Sequence, residues 1–255
     1  MTRSRKESQI RHSLQIELEV APSPSSAAAI TFAVAFMALV SLPGLGHKGL
    51  RALVDTYGEN LGHVWEDSPG RIQRILTRAR VPQAGDLALR LVAEAPRWIE
   101  QGQAEVQRLA EQKVHILSPK ALPRSLQEIP DPPRWLFVEG NPEILQHKPV
   151  VAVVGTRKPS EEGKQAAKIV AEILAAYPVV VVSGLAEGID AVAHRVSLQE
   201  GVPNVAFLGH GIRLVFPRAT ESLRRRIVAQ GGAVATEYLP NERYSRSNFV
   251  ARNRL

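Results

Sequence analysis

VVAVVGTR at residues 150–157 and VVVVSGLAEGID at residues 179–190 are the stretches that decide the fold of this 255-residue chain. Each begins with an apolar run of the length and composition of a buried parallel strand, and each run then breaks at a glycine. A glycine turn of this kind places backbone N–H groups at the start of a helix, where the helix dipole stabilises an anion. The two stretches therefore predict a Rossmann-like sheet whose edge faces phosphate.

Two more strand-like runs follow the same pattern. Residues 204–208 end at Gly209-His210-Gly211 and lead into a helix over about 219–230, and residues 233–238 run into a basic tail. Alternating strands and helices imply right-handed crossovers and a parallel sheet, which binds its ligands beyond the carboxyl ends of the strands. We therefore expect a four-stranded parallel sheet with an exposed last edge and with the glycine turns at one end. The same end would receive the arginines of the tail, which are Arg243, Arg246, Arg252 and Arg254.

The chemistry of the ligand is narrowed by motifs that the sequence lacks. The first turn contains Gly155 and then only Gly163, so it does not form the G-x-G-x-x-G fingerprint of a dinucleotide site, and no Gly-Lys-Ser or Gly-Lys-Thr occurs. Cysteine is absent, which excludes disulfides and thiolate zinc sites and fits a cytoplasmic protein. The formal charge is +7 and the isoelectric point is about 10.0. These features favour a polyanionic partner, with no nucleotide cofactor and no metal.

Four ordered motifs resemble the DNA-processing protein DprA/Smf family. They are VVGTRKP at residues 153–159, SGLAEGID at 183–190 with Ala193-His194, Gly209-His210-Gly211 followed by Phe216-Pro217, and Asn248-Phe249 followed by Arg252-Asn253-Arg254. The segment at residues 126–145 is similar to the family's lead-in to its first strand. The resemblance covers roughly residues 39–255 and is closest after residue 119.

This resemblance implies a protein without enzymatic activity or cofactor, which binds single-stranded DNA and helps to load the recombinase RecA onto DNA taken up in natural transformation. Arginines and helix starts suit this partner, because guanidinium groups bind phosphate oxygens in pairs and no base has to be read. By the resemblance, the DNA phosphates would be contacted by Gly155, Thr156, Arg157, Lys158, Ser183, Gly184, Gly209, Gly211, Arg246, Asn248, Phe249, Arg252, Asn253 and Arg254.

In the family, further strands and a self-association surface follow the Arg-Asn-Arg motif. The resemblance therefore implies a sheet that is incomplete at the C-terminus and a self-association surface that is largely absent, because Leu255 is the last residue. Two other functions stay open. One is a nucleotide-processing enzyme of the phosphoribohydrolase type that acts on nucleoside monophosphates, and the other is an inactive truncated remnant.

The rest of the chain divides by composition. We expect a flexible tail over residues 1–24, a small all-α domain over 25–117, a proline-rich connector over 118–148 and the Rossmann-like domain over 149–255. The apolar run at residues 27–42 is about 16 residues long, shorter than the roughly 20 that span a bilayer. It predicts a core helix and no membrane segment.

Residues 41–50, SLPGLGHKGL, predict a hairpin between two helices. This pattern resembles helix-hairpin-helix modules of the SAM-like type, in which N–H groups at a helix start hold a DNA phosphate. In that case Gly44, Gly46 and Lys48 would make the contact. The same glycines would equally suit a tight turn in a helical connector, and both interpretations stay open.

Some prominent residues have structural interpretations. We expect Gly188 to allow a sharp turn and Asp190 to stabilise a helix start. His194 shares a helix face with Asp190 and is expected to form a local hydrogen bond. The run Arg224-Arg225-Arg226 predicts a solvated helix face.

Overall fold

The computed structural model describes residues 31–147 and 149–255. The tail expected over residues 1–24 and the first part of the apolar run lie outside the described residues. The first half of the described chain is helical. Its helices are α1 (Phe32–Val40), α2 (Gly46–Tyr57), α3 (Pro69–Arg78), α4 (Ala84–Ala93) and α5 (Ala95–Glu111), with a 3-10 segment at Gly58–Trp65.

Capping and close packing fix these helices. Thr31 accepts a hydrogen bond from the N–H of Val34 at the start of α1, and Ser68 accepts one at the start of α3. Helix α1 is apolar around most of its surface and lies against α5 at Gly102. A Cβ atom at Gly102 would lie 2.5 Å from the carbonyl oxygen of Val34, so only glycine permits this approach.

A six-stranded mixed sheet forms the second half. Its strands are β1 (Val114–Leu117), β2 (Leu136–Gly140), β3 (Val150–Ala152), β4 (Val180–Ser183), β5 (Asn204–Phe207) and β6 (Ala233–Thr236). The spatial order is β1-β2-β6-β5-β4-β3. Strands β3 to β6 are parallel, which confirms the four predicted parallel strands and the Rossmann-like fold class.

The expectation that the last strand has an exposed edge is wrong. Strand β2 pairs antiparallel with β6, from Phe137 opposite Thr236 to Gly140 opposite Ala233. Strand β1 pairs antiparallel with β2 and extends the sheet further. The segment 118–148 is therefore more than a connector, because its strand satisfies the hydrogen bonds that β6 would otherwise leave open.

Five helices accompany the strands of the second half. They are α6 (Arg124–Gln127), α7 (Glu161–Leu174), α8 (Ile189–Gln199), α9 (Glu221–Ala229) and α10 (Arg246–Arg252). Helix α7 links β3 to β4, α8 links β4 to β5, and α9 links β5 to β6. The loops that follow β3, β4 and β5 consequently lie together at the carboxyl ends of the parallel strands.

One apolar core joins the helical half to the sheet. The ring of Phe36 in α1 lies 4.6 Å from that of Trp135 and 6.0 Å from that of Phe137, measured between centroids. The same cluster continues to Ile227 in α9 and to Val234 in β6. The predicted domain boundary between residues 117 and 118 stays a prediction.

The apolar run is a buried helix where the structure describes it. Six of the residues of α1 are buried, among them Phe36 and Leu39. Within residues 31–147 and 149–255, no helix is long and apolar enough to cross a membrane.

The expectation of a solvated face at Arg224-Arg225-Arg226 is wrong for its first residue. Arg225 and Arg226 are exposed, but Arg224 is buried and forms an ion pair with Glu139 at 2.5 Å. Its guanidinium also donates to the carbonyl oxygen of Leu214 at 2.8 Å. Arg224 therefore attaches α9 to β2 and to the loop after β5.

We predict that Gly102→Ala lowers the free energy of unfolding by about 1–3 kcal/mol, because α1 and α5 must move apart to admit the methyl group. The matched control is Gly163→Ala on α7, where the nearest atoms would lie 3.6 Å from the new Cβ atom. This control should gain up to about 1 kcal/mol from helix propensity. Urea unfolding followed by circular dichroism measures both, and a Gly102→Ala protein as stable as the wild type would refute the close packing.

Candidate nucleic-acid interface

Two adjoining cavities lie at the carboxyl ends of β3, β4 and β5. The larger has a volume of about 370 Å³ and the smaller about 180 Å³. Arg157, Gly184, Ala186 and Phe249 line both of them, so these residues form the boundary between the two. The larger cavity is also lined by Gly155, Ser183, Asp190, Arg252 and Asn253, and the smaller by Glu187, Gly209, His210, Phe216 and Pro217.

Arg252 fixes α10 over the strand ends. It is only 8% exposed, and its Nη1 donates to the carbonyl oxygen of Gly184 at 3.0 Å and to that of Phe207. Its Nε donates to Oδ1 of Asn253 at 3.1 Å. The guanidinium therefore ties α10 to the ends of β4 and β5.

The charge of Arg252 contributes to the potential of the site. Burial, together with the nearby charge of Arg157, holds the pKa of Arg252 below its ordinary value, whereas Asp190 opposes this shift. A guanidinium remains protonated despite such a shift. Two positive charges therefore act on the same cavity, with the buried carboxylate of Asp190 as a partial balance.

Phe249 and Arg157 form the wall between the cavities. Phe249 packs against Gly209, where a Cβ atom would lie 2.8 Å from its ring. The guanidinium carbon of Arg157 lies 4.6 Å from the ring centroid of Phe249, which is within cation–π distance. Arg157 and its neighbour Lys158 are exposed, so both can reach a ligand from solvent.

A glycine at the start of α8 shapes the loop that carries Arg157. Gly188 has a φ of +89°, and a Cβ atom there would lie 2.7 Å from the Cα atom of Arg157. The N–H of Ile189 donates to the carbonyl oxygen of Thr156 at 3.1 Å. Gly188 thus serves the turn, as its structural interpretation expects, and it lets this turn support the Arg157 loop.

Several polar groups of the turn after β4 have internal partners. The hydroxyl of Ser183 donates to the carbonyl oxygen of Val153 at 2.6 Å, and the N–H of Gly184 donates to Oδ2 of Asp190 at 3.1 Å. Asp190 lies in the first turn of α8, as expected, but His194 bonds to Asn204 at 2.8 Å and not to Asp190. Ser183 and Gly184 line the cavity while these donors hold the turn together.

Some residues predicted from the sequence lie away from the two cavities. The N–H of Gly211 donates to the carbonyl oxygen of Glu242 at 2.8 Å. The side-chain amide of Asn248 faces Glu242 at 3.4 Å, and its backbone N–H donates to Ser245. Arg246 is exposed at the first position of α10. The structure therefore does not bring these three residues to the cavity walls.

Arg254 has other partners than Arg252. Both of its terminal nitrogens lie 2.5 Å from the carboxylate oxygens of Glu237, and its Nε donates to the carbonyl oxygen of Asp131 at 2.8 Å. The side chain of Asp131 in turn accepts from Arg51 of α2 at 2.5 Å, and this hydrogen bond is the main cause of a pKa below the ordinary value. Arg254 therefore links the tail to the helical half.

The predicted hairpin lies beside the tail. Helices α1 and α2 are joined by residues 41–45, and Gly44 and Gly46 have φ angles of +94° and +59°. His47 Nε2 lies 2.5 Å from Oε2 of Glu242, and the exposed Lys48 lines a third cavity of about 240 Å³. The structure thus has two helices joined by a short turn, as both interpretations of this segment require, and a helix-hairpin-helix contact with DNA stays a prediction.

Two aromatic residues beside Phe249 were not among the predicted contacts. Phe216 lines the smaller cavity, and Tyr244 stacks on it with ring centroids 3.9 Å apart and an interplanar angle of 13°. Their positions in the sequence could have indicated both residues. Tyr244 lies between basic residues of the tail, and Phe216 follows the third glycine turn. Aromatic residues interleaved with arginines are typical of single-strand binding sites.

The second half of the chain is similar to known proteins. A family model described as DNA recombination-mediator protein A matches residues 113–255. The DNA processing protein DprA of Streptococcus pneumoniae is 40% identical over 133 residues, which is 52% of this chain and 46% of that protein. Protein Smf of Escherichia coli is 38% identical over 148 residues, which is 57% of this chain and 39% of that protein. The chain thus spans less than half the length of these two relatives.

A solved structure shares the fold. The X-ray structure of DNA processing protein A from Streptococcus pneumoniae aligns with a TM-score of 0.56 and 28% sequence identity. The alignment covers 81% of this chain and 72% of that chain. It therefore extends beyond the sheet into the helical half.

We predict that Arg252→Ala lowers the free energy of unfolding by about 2–4 kcal/mol, because two buried carbonyl oxygens lose their donor. Arg157→Ala removes the same charge from an exposed position and should change stability by less than about 0.5 kcal/mol. Thermal and urea unfolding of the two variants measure the difference. Equal stability of the two proteins would show that Arg252 does not hold α10 in place.

A second prediction concerns Glu242. Burial alone would raise its pKa, but the hydrogen bond and charge of His47, with donors from Leu239 and Asn248, outweigh burial and lower it. A lowered pKa in the folded state stabilises the protein above the unfolded value of about 4.3, and this contribution is lost as the pH falls.

Wild-type protein should therefore be more stable than Glu242→Gln at pH 7, and the difference should shrink as the pH falls below about 4. Unfolding curves collected between pH 7 and pH 3 measure it, with Glu200→Gln at an exposed helix end as the charge-matched control. A difference that does not change with pH would contradict the ionised role of Glu242.

Proposed function

Because this chain belongs to the DNA recombination-mediator protein A family, we propose that its glycine-rich edge binds single-stranded DNA without sequence preference. One observation carries the proposal. The exposed guanidinium of Arg157 is held 4.6 Å from the ring of Phe249, at the boundary of two cavities beyond the carboxyl ends of parallel strands. This is the position at which a sheet of this class binds its ligand.

The phosphate contacts divide into direct and indirect ones. Arg157 and Lys158 are exposed on one loop and can donate to phosphate oxygens directly. The guanidinium of Arg252 already donates to backbone carbonyl oxygens, so it attracts a phosphate through its charge from the wall of the larger cavity. The exposed Asn253 at the rim offers an uncharged amide. Such contacts fix the path of a backbone and read no sequence.

The aromatic rings favour a single strand over a duplex. Phe216, Tyr244 and Phe249 form one cluster with centroids 3.9–6.1 Å apart beside the loop of Arg157. Nucleobases of a single strand can stack on such rings, whereas the bases of a duplex are already stacked on one another. The combination of cations and rings therefore supports the single-stranded form as the ligand.

The wider role follows from family membership. We infer that the chain acts as a recombination mediator on DNA taken up in natural transformation, with RecA as its partner and the cytoplasm as its location. Absence of enzymatic activity is part of the same proposal. Release of free base from AMP by the purified protein would instead favour a nucleotide-processing enzyme, for which the exposed Glu187 at the smaller cavity would be the first residue to test.

We predict that wild-type protein binds fluorescently labelled oligo-dT with an affinity that falls steeply between 50 and 200 mM salt. The variant Arg157→Ala/Lys158→Ala should lose about a hundredfold or more in affinity, since it removes two charge-assisted hydrogen bonds that contribute about 1.5–3 kcal/mol each. Its salt slope should fall by about 1.4, because each lost contact with a single strand removes about 0.7. Fluorescence anisotropy measures both quantities.

The matched control is Arg226→Ala/Lys113→Ala, which removes the same charge at the opposite end of the sheet. Arg226 is in the last turn of α9, which leads to the amino end of β6, and Lys113 precedes β1. This control should bind oligo-dT like the wild type. No binding by a folded wild-type protein, or equal losses in both variants, would contradict the proposed site.

A further inference from the structure

Tyr244 is an exposed aromatic residue beside the two cavities. It lies in the loop between β6 and α10 and is 52% exposed. One face of its ring stacks on Phe216, with centroids 3.9 Å apart and an interplanar angle of 13°. Its hydroxyl has no hydrogen-bond partner within residues 31–147 and 149–255. Because Phe216 covers one face of the ring, the exposure of Tyr244 falls on the ring edge and the opposite face.

Hydrogen bonds hold the loop on both sides of Tyr244, and the stack on Phe216 orders its ring. On one side, Glu242 bonds to His47 and to the N–H of Leu239. On the other side, the hydroxyl of Ser245 accepts the N–H of Asn248 at 3.1 Å and begins α10. A ring that is already ordered loses little conformational entropy when a flat ligand stacks on it. The open face is thus prepared for a planar partner.

The position of Tyr244 relates it to the proposed phosphate contact. The ring of Tyr244 and the guanidinium of Arg157 both border Phe249, at 6.1 and 4.6 Å from its centroid. The two groups cannot be farther apart than these distances combined, which is a span that one or two nucleotides cover. Arg243 and Arg246 are exposed on either side of the loop and extend the cationic surface.

We propose that Tyr244 is a base-stacking residue, which takes a nucleobase on its open face and extends the single-stranded DNA site beyond the two cavities. This inference rests on the proposed function. Stacking on an aromatic ring tolerates every base, because each base has a π face. Tyr244 therefore adds affinity without adding sequence preference, and Phe216 supports the ring from below.

The stacking role differs from a purely structural one in what the side chain must supply. A residue that only covers Phe216 needs apolar volume, which leucine also provides. A residue that stacks a base needs a flat ring, which phenylalanine provides and leucine does not. The hydroxyl is dispensable in both cases.

The test measures oligo-dT binding of Tyr244→Ala, Tyr244→Leu and Tyr244→Phe by fluorescence anisotropy at 50 and 200 mM salt. We expect alanine and leucine to lower the affinity by between about fivefold and a hundredfold, and phenylalanine to retain it. The loss should be the same at both salt concentrations, since stacking releases no counterions. On an abasic oligonucleotide of equal length, all three variants should bind like the wild type.

Tyr177→Ala is the matched control. Tyr177 is 59% exposed and precedes β4 at the amino end of the parallel strands, so its removal should leave binding unchanged. Wild-type affinity in Tyr244→Ala, or in Tyr244→Leu, would overturn the stacking role alone. No oligo-dT binding by folded wild-type protein would overturn the proposed function and the stacking role together.

Discussion

The buried guanidinium of Arg252 is the interaction on which the functional edge depends. It donates to the carbonyl oxygens of Gly184 and Phe207, at the ends of two neighbouring parallel strands. Without a donor, each of these carbonyl groups would lose a buried hydrogen bond. The close approach requires glycine at position 184, where any side chain would collide with the guanidinium. The glycine at position 184 admits the side chain of Arg252, and this side chain in turn holds the carbonyl group of Gly184.

This anchor decides what the neighbouring residues can do. Because α10 is held over the strand ends, Phe249 packs on Gly209 and divides the two cavities. Arg157 then stacks on Phe249 with its charge still open to solvent. The buried Arg252 thus positions the exposed Arg157. Arg252 has a structural role because backbone carbonyl groups surround it, whereas Arg157 faces solvent and can contact a ligand.

The helical half is connected to the same edge in two ways. Its apolar core continues beneath the sheet through Phe36 and Trp135, and this burial supplies most of the attachment. Two ion pairs that share Asp131 also connect the tail to α2. They join Arg254 to Asp131 and Asp131 to Arg51. Exposed pairs of this kind contribute little free energy individually, so the apolar core is the stronger of the two connections.

The sequence by itself determined the four parallel strands, the glycine turns and the cationic character of the edge. Apolar runs and glycines are local signals, so they can be read without knowing their neighbours in space. Only the tertiary structure decided that residues 136–140 form a strand on β6, that Arg252 is buried and Arg254 paired with Glu237, and that Tyr244 stacks on Phe216. Strand pairing and burial depend on groups that are far away in the chain, such as Gly184 for Arg252. The local sequence around a residue therefore does not predict its strand partner or its burial.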